Sequence, residues 1–361
     1  MTAATAASWL AAGAVLLAAC SSDSNSSGAP LDGGSTAVPS DGWSRVGPAT
    51  PFLPLDFVWA AGSNVYATSL SEDTSAFVLS SHDRGGTWTS APVGDAQTGL
   101  TGVAASSTGE VYAVGYTNPF IDVANTGPLI AKSTDGGATF TMLTPDLNGA
   151  ILAVCADAQG GLFVAGEETA GGFFARSTDG GLSWTKTLVP GSSYLSGLWV
   201  SAGGEIYGAG GAIFKSTDGG DSWTLVERPA TPATAIAGTA DGGRIVASGA
   251  GLLVVESRDG GATWQTLSGS TVLAPAEDAP QLQGVWVADA TSDPYFAAGA
   301  YGVLRSVSTG DAPGTPFVTG GDFLPDMPIV YAVTGDASDV WAVGEIAEGG
   351  QSAIYHKTIG P

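Results

Sequence analysis

Positive charge and histidine are scarce in this sequence. Its 361 residues include 11 Lys and Arg against 34 Asp and Glu, a formal net charge of −23. Such a chain is poorly suited to nucleic acid and to anionic lipid headgroups, so we expect neither as a partner. The two histidines, His82 and His356, are too few for a His-based triad or a His metal site. No phosphate loop or dinucleotide fingerprint occurs in context, and we expect no cofactor and no metal.

Cysteine is equally rare, and its two copies lie in different surroundings. Cys155 ends the apolar run that begins at Ile151, which is typical of a small buried core residue. Cys20 closes Leu17-Ala18-Ala19-Cys20, after an apolar stretch from Trp9 that is too short to span a membrane comfortably.

The segment around Cys20 resembles the lipobox of bacterial lipoproteins, although Met1 to Ser8 contains no Lys or Arg. The resemblance implies a signal peptide over residues 1–20 and a lipid anchor on Cys20. Residues 21–40 are rich in Ser, Gly, Asp and Pro and predict a flexible tether. By analogy with other lipoproteins, Ser21 favours outer-membrane sorting, so we expect a lipid-anchored protein of the bacterial cell envelope or surface.

Glycine is abundant, with 54 residues, and ten of them form the Gly-Gly pairs of one repeated motif. The motif reads Ser-x-Asp-x-Gly-x-Thr/Ser-Trp, with some variation between copies. A fixed motif that recurs about every 40 residues indicates stacked or radial supersecondary units. The copies span residues 81–88, 133–140, 177–184, 216–223 and 257–264, with their aspartates at Asp83, Asp135, Asp179, Asp218 and Asp259.

Each copy predicts a tight turn between two strands. Short apolar runs flank it, the glycines supply left-handed positions, and the Ser and Asp side chains can accept hydrogen bonds from the turn backbone. The motif resembles the Asp-box, or bacterial-neuraminidase repeat, a structural turn between the third and outer strands of a propeller blade. A calcium loop of the EF-hand type would need further oxygen ligands that are absent here.

The segments between the turns predict an all-β fold, a single seven-bladed β-propeller of four-stranded blades over residues 41–361. Five blades carry the motif and two are degenerate. Residues 41–47 resemble a motif remnant followed by an outer strand, so we expect this N-terminal strand to complete the last blade and close the ring.

Enzymes built on this scaffold use the face opposite the Asp-box turns. Sialidases need three arginines around a substrate carboxylate, whereas Lys132, Arg176, Lys215 and Arg305 occupy equivalent positions just before a motif serine or its remnant. We interpret these cations as blade structure. A glycoside hydrolase with a carboxylate pair stays open as an alternative, with Asp122, Asp146, Asp322 and Asp326 as candidates.

The resemblance to sialidase-like propellers, and in style to the photosystem II assembly-factor family, favours a non-catalytic binding or scaffolding protein. We expect a monomer that holds a protein or glycan on its acidic loop face. The predicted binding residues combine the aromatic and acidic side chains of that face, namely Tyr116, Phe120, Asp122, Asp146, Tyr194, Asp322, Phe323 and Asp326.

Overall fold

A computed structural model describes most of the chain beyond residue 41. The described ranges are 42–47, 54–69, 76–95, 98–117, 126–157, 159–267, 281–289, 291–292, 294–297, 299, 303–307, 318–322, 324, 328–346 and 351–359. The predicted signal peptide with Cys20 and the predicted tether lie outside these ranges. Within them, no helix has the length and apolar character required to cross a bilayer.

The described residues form strands joined into antiparallel four-stranded sheets. After strand β1 (Ser44–Val46), sheet 1 contains β2 (Phe57–Ala61), β3 (Asn64–Thr68), β4 (Ala76–Ser81) and β5 (Thr89–Val93). Sheet 2 contains β6 (Thr98–Ala105), β7 (Val111–Thr117), β8 (Gly127–Ser133) and β9 (Thr141–Met142). Sheet 3 contains β10 (Ala150–Ala156), β11 (Leu162–Glu168), β12 (Gly171–Ser177) and β13 (Thr185–Leu188).

The pattern continues to the end of the chain. Sheet 4 contains β14 (Gly197–Val200), β15 (Ile206–Gly210), β16 (Ala212–Ser216) and β17 (Thr224–Glu227). Sheet 5 contains β18 (Ala233–Gly238), β19 (Ile245–Gly249), a short 3-10 turn (Ala250–Leu252), β20 (Leu253–Ser257) and β21 (Gln265–Thr266). Sheet 6 contains β22 (Gly284–Trp286), β23 (Tyr295–Ala297), β24 (Val303–Val307) and β25 (Val318–Asp322). Sheet 7 contains β26 (Pro328–Gly335), β27 (Asp339–Ile346) and β28 (Gln351–Thr358), with β1 on its outer edge.

The first strands of the sheets surround a common axis. Each contacts the first strand of the next sheet, and β26 of sheet 7 contacts β2 of sheet 1, so the described strands close a ring of seven sheets. This is the arrangement of a β-propeller, and the predicted all-β architecture with four-stranded units is confirmed.

The chain closes this ring with its own N-terminal strand. Strand β1 pairs antiparallel with β28, with Ser44 opposite His356 and Val46 opposite Ile354. Trp43 is buried and meets Tyr295 of sheet 6 edge to face. The similarity of residues 41–47 to an outer strand predicted this pairing.

The core lies between neighbouring sheets. Tyr112 and Val114 of sheet 2 pack with Leu162 and Val164 of sheet 3, and the other junctions repeat this arrangement. Burying one such aliphatic side chain contributes about 1.5–3 kcal/mol, so the ring is held mainly by these interleaved apolar layers. Cys155 lies at the junction of sheets 3 and 4, where burial raises the pKa of its thiol to about 12.

Each repeated motif folds as the predicted turn. In the second copy, the Ser133 hydroxyl donates to Asp135 (2.7 Å) and accepts from the Gly137 N–H (2.8 Å). Asp135 accepts the Thr139 hydroxyl (2.6 Å) and the Thr139 N–H (2.9 Å). These bonds, led by the one from the Thr139 side chain, lower the pKa of Asp135 to about 2.

One predicted loop is partly wrong. The sequence between the degenerate units predicts a long loop from Gly320 to Pro328, but the first residues of this segment belong to strand β25, where Gly320 lies opposite Arg305. After Ser306 the sequence lacks the Asp and the Trp of the motif, so it contains no local signal for a strand at this place.

Candidate functional site

Antiparallel pairing gives the ring two different ends. The repeated turns join the third and fourth strands at one end, here called the turn end, together with the hairpins between first and second strands. The opposite end, here called the loop end, carries the connections between second and third strands and between successive sheets. The predicted binding residues that the structure describes belong to the loop end, and they are Tyr116, Asp146, Tyr194 and Asp322.

The first strands carry a repeated irregularity near the loop end. Register shifts leave one extra residue in four of them, and these residues are Thr101, Leu152, Thr234 and Tyr331. A glycine of the second strand lies opposite each register shift. At Gly166, for example, a Cβ atom would overlap the carbonyl of Ala150, so the position requires glycine.

Three other sheets have an equivalent residue just before the first strand. The backbone N–H groups of Asp56, Ser196 and Gln283 donate to the second strand at 2.9 Å each. With the four bulged residues they complete a ring around the axis, here called the mouth ring. Its members are Asp56, Thr101, Leu152, Ser196, Thr234, Gln283 and Tyr331.

Hydrogen bonds connect parts of the mouth ring across sheet boundaries. The Thr101 hydroxyl donates to the carbonyl of Ile151 in the next sheet (2.7 Å), and the Ser196 hydroxyl donates to that of Thr234 (2.9 Å). The buried Thr234 hydroxyl has no hydrogen-bond partner among the described residues. The mouth ring is therefore mostly polar, with Leu152 as an apolar member, and it contains no cation.

A phenol and a carboxylate meet in the mouth ring. The Tyr331 hydroxyl donates to Glu345 of the same sheet at 2.8 Å. This pair orients the phenol and places a carboxyl group next to the mouth ring. Four arginines pair instead with carboxylates at the turn end, namely Arg84, Arg176, Arg244 and Arg258.

The other described carboxylates of the loop end give it an acidic character. They are Asp95, Asp146, Glu167, Glu168 and Glu227, against the cations Lys186 and Arg228. Burial raises the pKa of Glu167, and burial, followed by the charge of Glu167, raises the pKa of Tyr194. In the part of the chain that the structure describes, no three His, Cys, Asp or Glu side chains are grouped to hold a metal ion.

The cations that precede the motif serines bind groups at the turn end. Lys132 donates to the carbonyl of Gly180 (3.4 Å), Arg176 to that of Gly219 (3.0 Å) and Lys215 to that of Gly260 (2.9 Å). Each bond joins a third strand to the repeated turn of the following sheet. Lys132 and Lys215 also pair with Glu110 and Glu205, both at 2.7 Å. Their predicted role in blade structure agrees with these contacts, while the side chain of Arg305 is not described.

The structure describes four of the eight predicted binding residues. Tyr116 is the penultimate residue of strand β7 and is only 6% exposed, so it offers little surface to a ligand. Tyr194 is half-buried beside Glu167, Asp146 is exposed, and Asp322 is the last residue of β25. Phe120, Asp122, Phe323 and Asp326 lie outside the described residues, so no site composed of the eight predicted residues can be assembled.

Sequence reasoning missed the mouth ring. One sequence signal could have predicted part of it, namely the recurrent Leu-x-Gly segments. Their middle residues are Thr101, Ser196 and Gln283, and a residue between the same two neighbours is expected at an equivalent place in each sheet.

Comparisons with known proteins identify the fold. No protein-family model matches the chain, and no curated protein matches it. Among solved structures, it is similar to YCF48 from Cyanidioschyzon merolae, with a TM-score of 0.62, 16% identity, and coverage of 88% of this chain and 98% of that one. A structure of YCF48 bound to D1 peptide matches with a TM-score of 0.61, 16% identity, and coverage of 88% and 96%.

A WD40 protein is similarly close in shape. The RRP9 WD40 repeats match with a TM-score of 0.66, 11% identity, and coverage of 88% of this chain and 98% of that one. At these identities the likeness supports a β-propeller fold and does not extend to function.

Proposed function

We propose that this chain is a non-catalytic binding or scaffolding propeller that holds a protein partner on its acidic loop end, over the mouth ring. The observation that carries the proposal is the separation of charge. Most described cations pair with carboxylates or backbone carbonyls at the turn end, while the mouth ring and its surroundings keep carboxylates, hydroxyls and amides.

Such a surface suits a neutral or basic polypeptide segment. Carboxylates near the axis attract positive charge over several ångströms, and hydroxyl and amide groups can satisfy the peptide backbone of the partner. The structure of YCF48 with a D1 peptide is a precedent for peptide binding by a propeller of similar shape. We do not extend the photosystem role to this chain, because its loop end is acidic.

The repeated turns, on this proposal, are Asp-boxes of a seven-bladed ring spanning residues 41–361. The chain acts as a monomer at the cell envelope, anchored by a lipid on Cys20 and spaced from the membrane by residues 21–40. The resemblance of Leu17-Ala18-Ala19-Cys20 to a lipobox supports the anchor.

A peptide array that varies net charge tests the binding proposal. Basic peptides should be retained at low salt and lost at high salt, because screening weakens exposed charge pairs. Glu345→Gln at the loop end should weaken retention more than Asp221→Asn, which removes one charge at the turn end. Equal retention of acidic and basic peptides would contradict the proposal.

Glycan binding and glycoside hydrolysis are the alternatives. The Tyr331–Glu345 pair is the observation that favours a glycosidase as an alternative, because a carboxylate can accept the proton of a phenol nucleophile. Incubation with a glycan panel, scored by mass spectrometry, separates the cases. Released sugar would overturn the non-catalytic proposal and direct mutagenesis to Tyr331, Asp122, Asp146, Asp322 and Asp326. Retention without cleavage would indicate a lectin-like module.

A further inference from the structure

A separate cavity opens at the loop end where sheets 2 and 3 meet. It has a volume of about 270 Å³, slightly below the usual range for small-molecule sites, which is about 300–1,000 Å³. Three connections line it, namely residues 126–128 at the start of β8, residues 148–149 before β10, and residues 168–170 after β11. It lies off the axis, beside the first strand that carries Leu152 of the mouth ring.

The cavity is built on a glycine. A Cβ on Gly149 would overlap the carbonyl of Glu167, and its φ of +86° is also a left-handed value. Gly149 therefore lets the connection before β10 lie directly on the end of β11. This close approach holds the two walls of the cavity at a fixed separation.

One carboxylate dominates the chemistry of the lining. The Glu168 side chain is only 13% exposed, and its Oε2 accepts a hydrogen bond from Lys186 at 2.9 Å. Its other oxygen has no hydrogen-bond partner among the residues that the structure describes. Lys186 is in turn positioned over the ring of Phe173, 5.8 Å from its centre.

The remaining lining complements a donor-rich side chain with an apolar stem. The lining includes residues with side-chain oxygens, namely Thr126, Thr169 and Asn148, and two apolar residues, Pro128 and Ala170.

We propose that this cavity binds the guanidinium group of an arginine carried by the partner segment. Guanidinium presents five N–H donors in a plane, which suits one carboxylate oxygen together with hydroxyl and amide oxygens. The methylene groups of the arginine pack on Pro128 and Ala170. The inference rests on the proposed function, since it assigns one recognition element of the same partner.

The test uses the full chain and a single amino-acid probe. N-acetyl-arginine methylamide is titrated while the amide signals of Gly127, Gly149 and Thr169 are followed by NMR. The isosteric neutral probe, N-acetyl-citrulline methylamide, is the control ligand. We expect saturable shifts at these three amides with the arginine probe and much weaker shifts with citrulline. Equal shifts with both probes would overturn the proposal.

Variants sharpen the test. Glu168→Gln should abolish the shifts, whereas Glu227→Gln, a half-buried glutamate of sheet 4, should leave them unchanged. Lys186→Met should raise the affinity about tenfold, because it removes the resident competitor for Glu168, and the net value of a charged hydrogen bond is of that order. A role for Lys186 in structure alone predicts no such gain, and weaker binding in Lys186→Met would contradict the proposal.

Failure of this inference can be distinguished from failure of the proposed function. If the arginine probe binds the cavity but the peptide array shows no charge preference, the cavity assignment stands and the proposed function fails. If basic peptides bind through the loop end while the arginine probe does not shift these amides, the proposed function stands and the cavity assignment fails.

Discussion

The aspartates of the repeated turns show how strongly single residues determine this fold. All five accept a hydroxyl and a backbone N–H from the same Thr or Ser, and each has a pKa lowered to about 2. Because the pKa is lower in the folded state, ionisation stabilises the fold fully above the unfolded value of about 3.9. That contribution is lost as the pH falls through about 2.

This linkage predicts a pH-dependent effect of Asp135→Asn. The variant should melt below the wild-type protein at neutral pH, and the difference should shrink between about pH 4 and pH 2, where the wild-type carboxylate also loses its charge. Thermal denaturation followed by circular dichroism measures it. Asp146→Asn is the control, because Asp146 is exposed and makes no hydrogen bond within the described structure. A difference that stays constant down to pH 2 would refute the linkage.

The glycines opposite the mouth ring provide a second prediction for single residues. Gly166→Ala should lower the free energy of unfolding by about 1–3 kcal/mol, since the new methyl group would overlap the carbonyl of Ala150. Gly203→Ala is the matched control, with its nearest atom at 3.6 Å and no left-handed φ. Chemical denaturation of both variants compares them. Similar stability for the two would show that the first strand does not need its bulge.

Among the elements, strand β1 has the largest role for its length. It supplies the outer strand of sheet 7 and carries the buried Trp43 to the junction with sheet 6. Without it, the edge of β28 is left unpaired and the apolar layer beneath Trp43 is open to solvent.

Removal of this strand is therefore expected to destabilise the whole ring. A chain lacking residues 1–47 should melt markedly lower than one lacking residues 1–40, which retains β1. Differential scanning calorimetry of the two truncated chains provides the comparison. An identical transition in both would mean that the ring does not depend on closure by β1.

The elements also show what local sequence can and cannot predict. The repeated turns were predictable because every bonding partner lies within one eight-residue segment. The closing strand was predictable because residues 41–47 resemble the segment that follows the fourth turn. Strand β25 was not predicted because the sequence before it lacks the Asp and the Trp of the motif. The mouth ring was not predicted for a different reason. Strand pairing brings its members together from distant segments of the chain, and their side chains differ in type, from Asp56 to Leu152.

At the scale of the whole molecule, charge is sorted between the two ends. Carboxylates and carbonyls of the turn end pair with four cations, namely Lys132, Arg176, Lys215 and Arg244. The loop end therefore keeps much of its negative charge uncompensated. A partner would therefore be steered to the loop end, and its association rate should fall with ionic strength.

The proposed anchor makes a prediction at the same scale. Cys20→Ser should release the protein from the membrane fraction, because a single tether carries the lipid. Fractionation followed by immunoblotting measures the distribution, with Cys155→Ser as the control for loss of a thiol. A variant that stays in the membrane fraction would refute anchoring through Cys20.

The most direct test of the central claim is site-specific photocrosslinking in living cells. A photoreactive residue replaces Gln283 in the mouth ring, and in a second strain it replaces Thr224 on the exposed outer edge of sheet 4. The proposal predicts a discrete crosslinked protein with the mouth-ring probe and none with the edge probe. The same product from both positions, or a product from the edge alone, would contradict a partner site at the loop end.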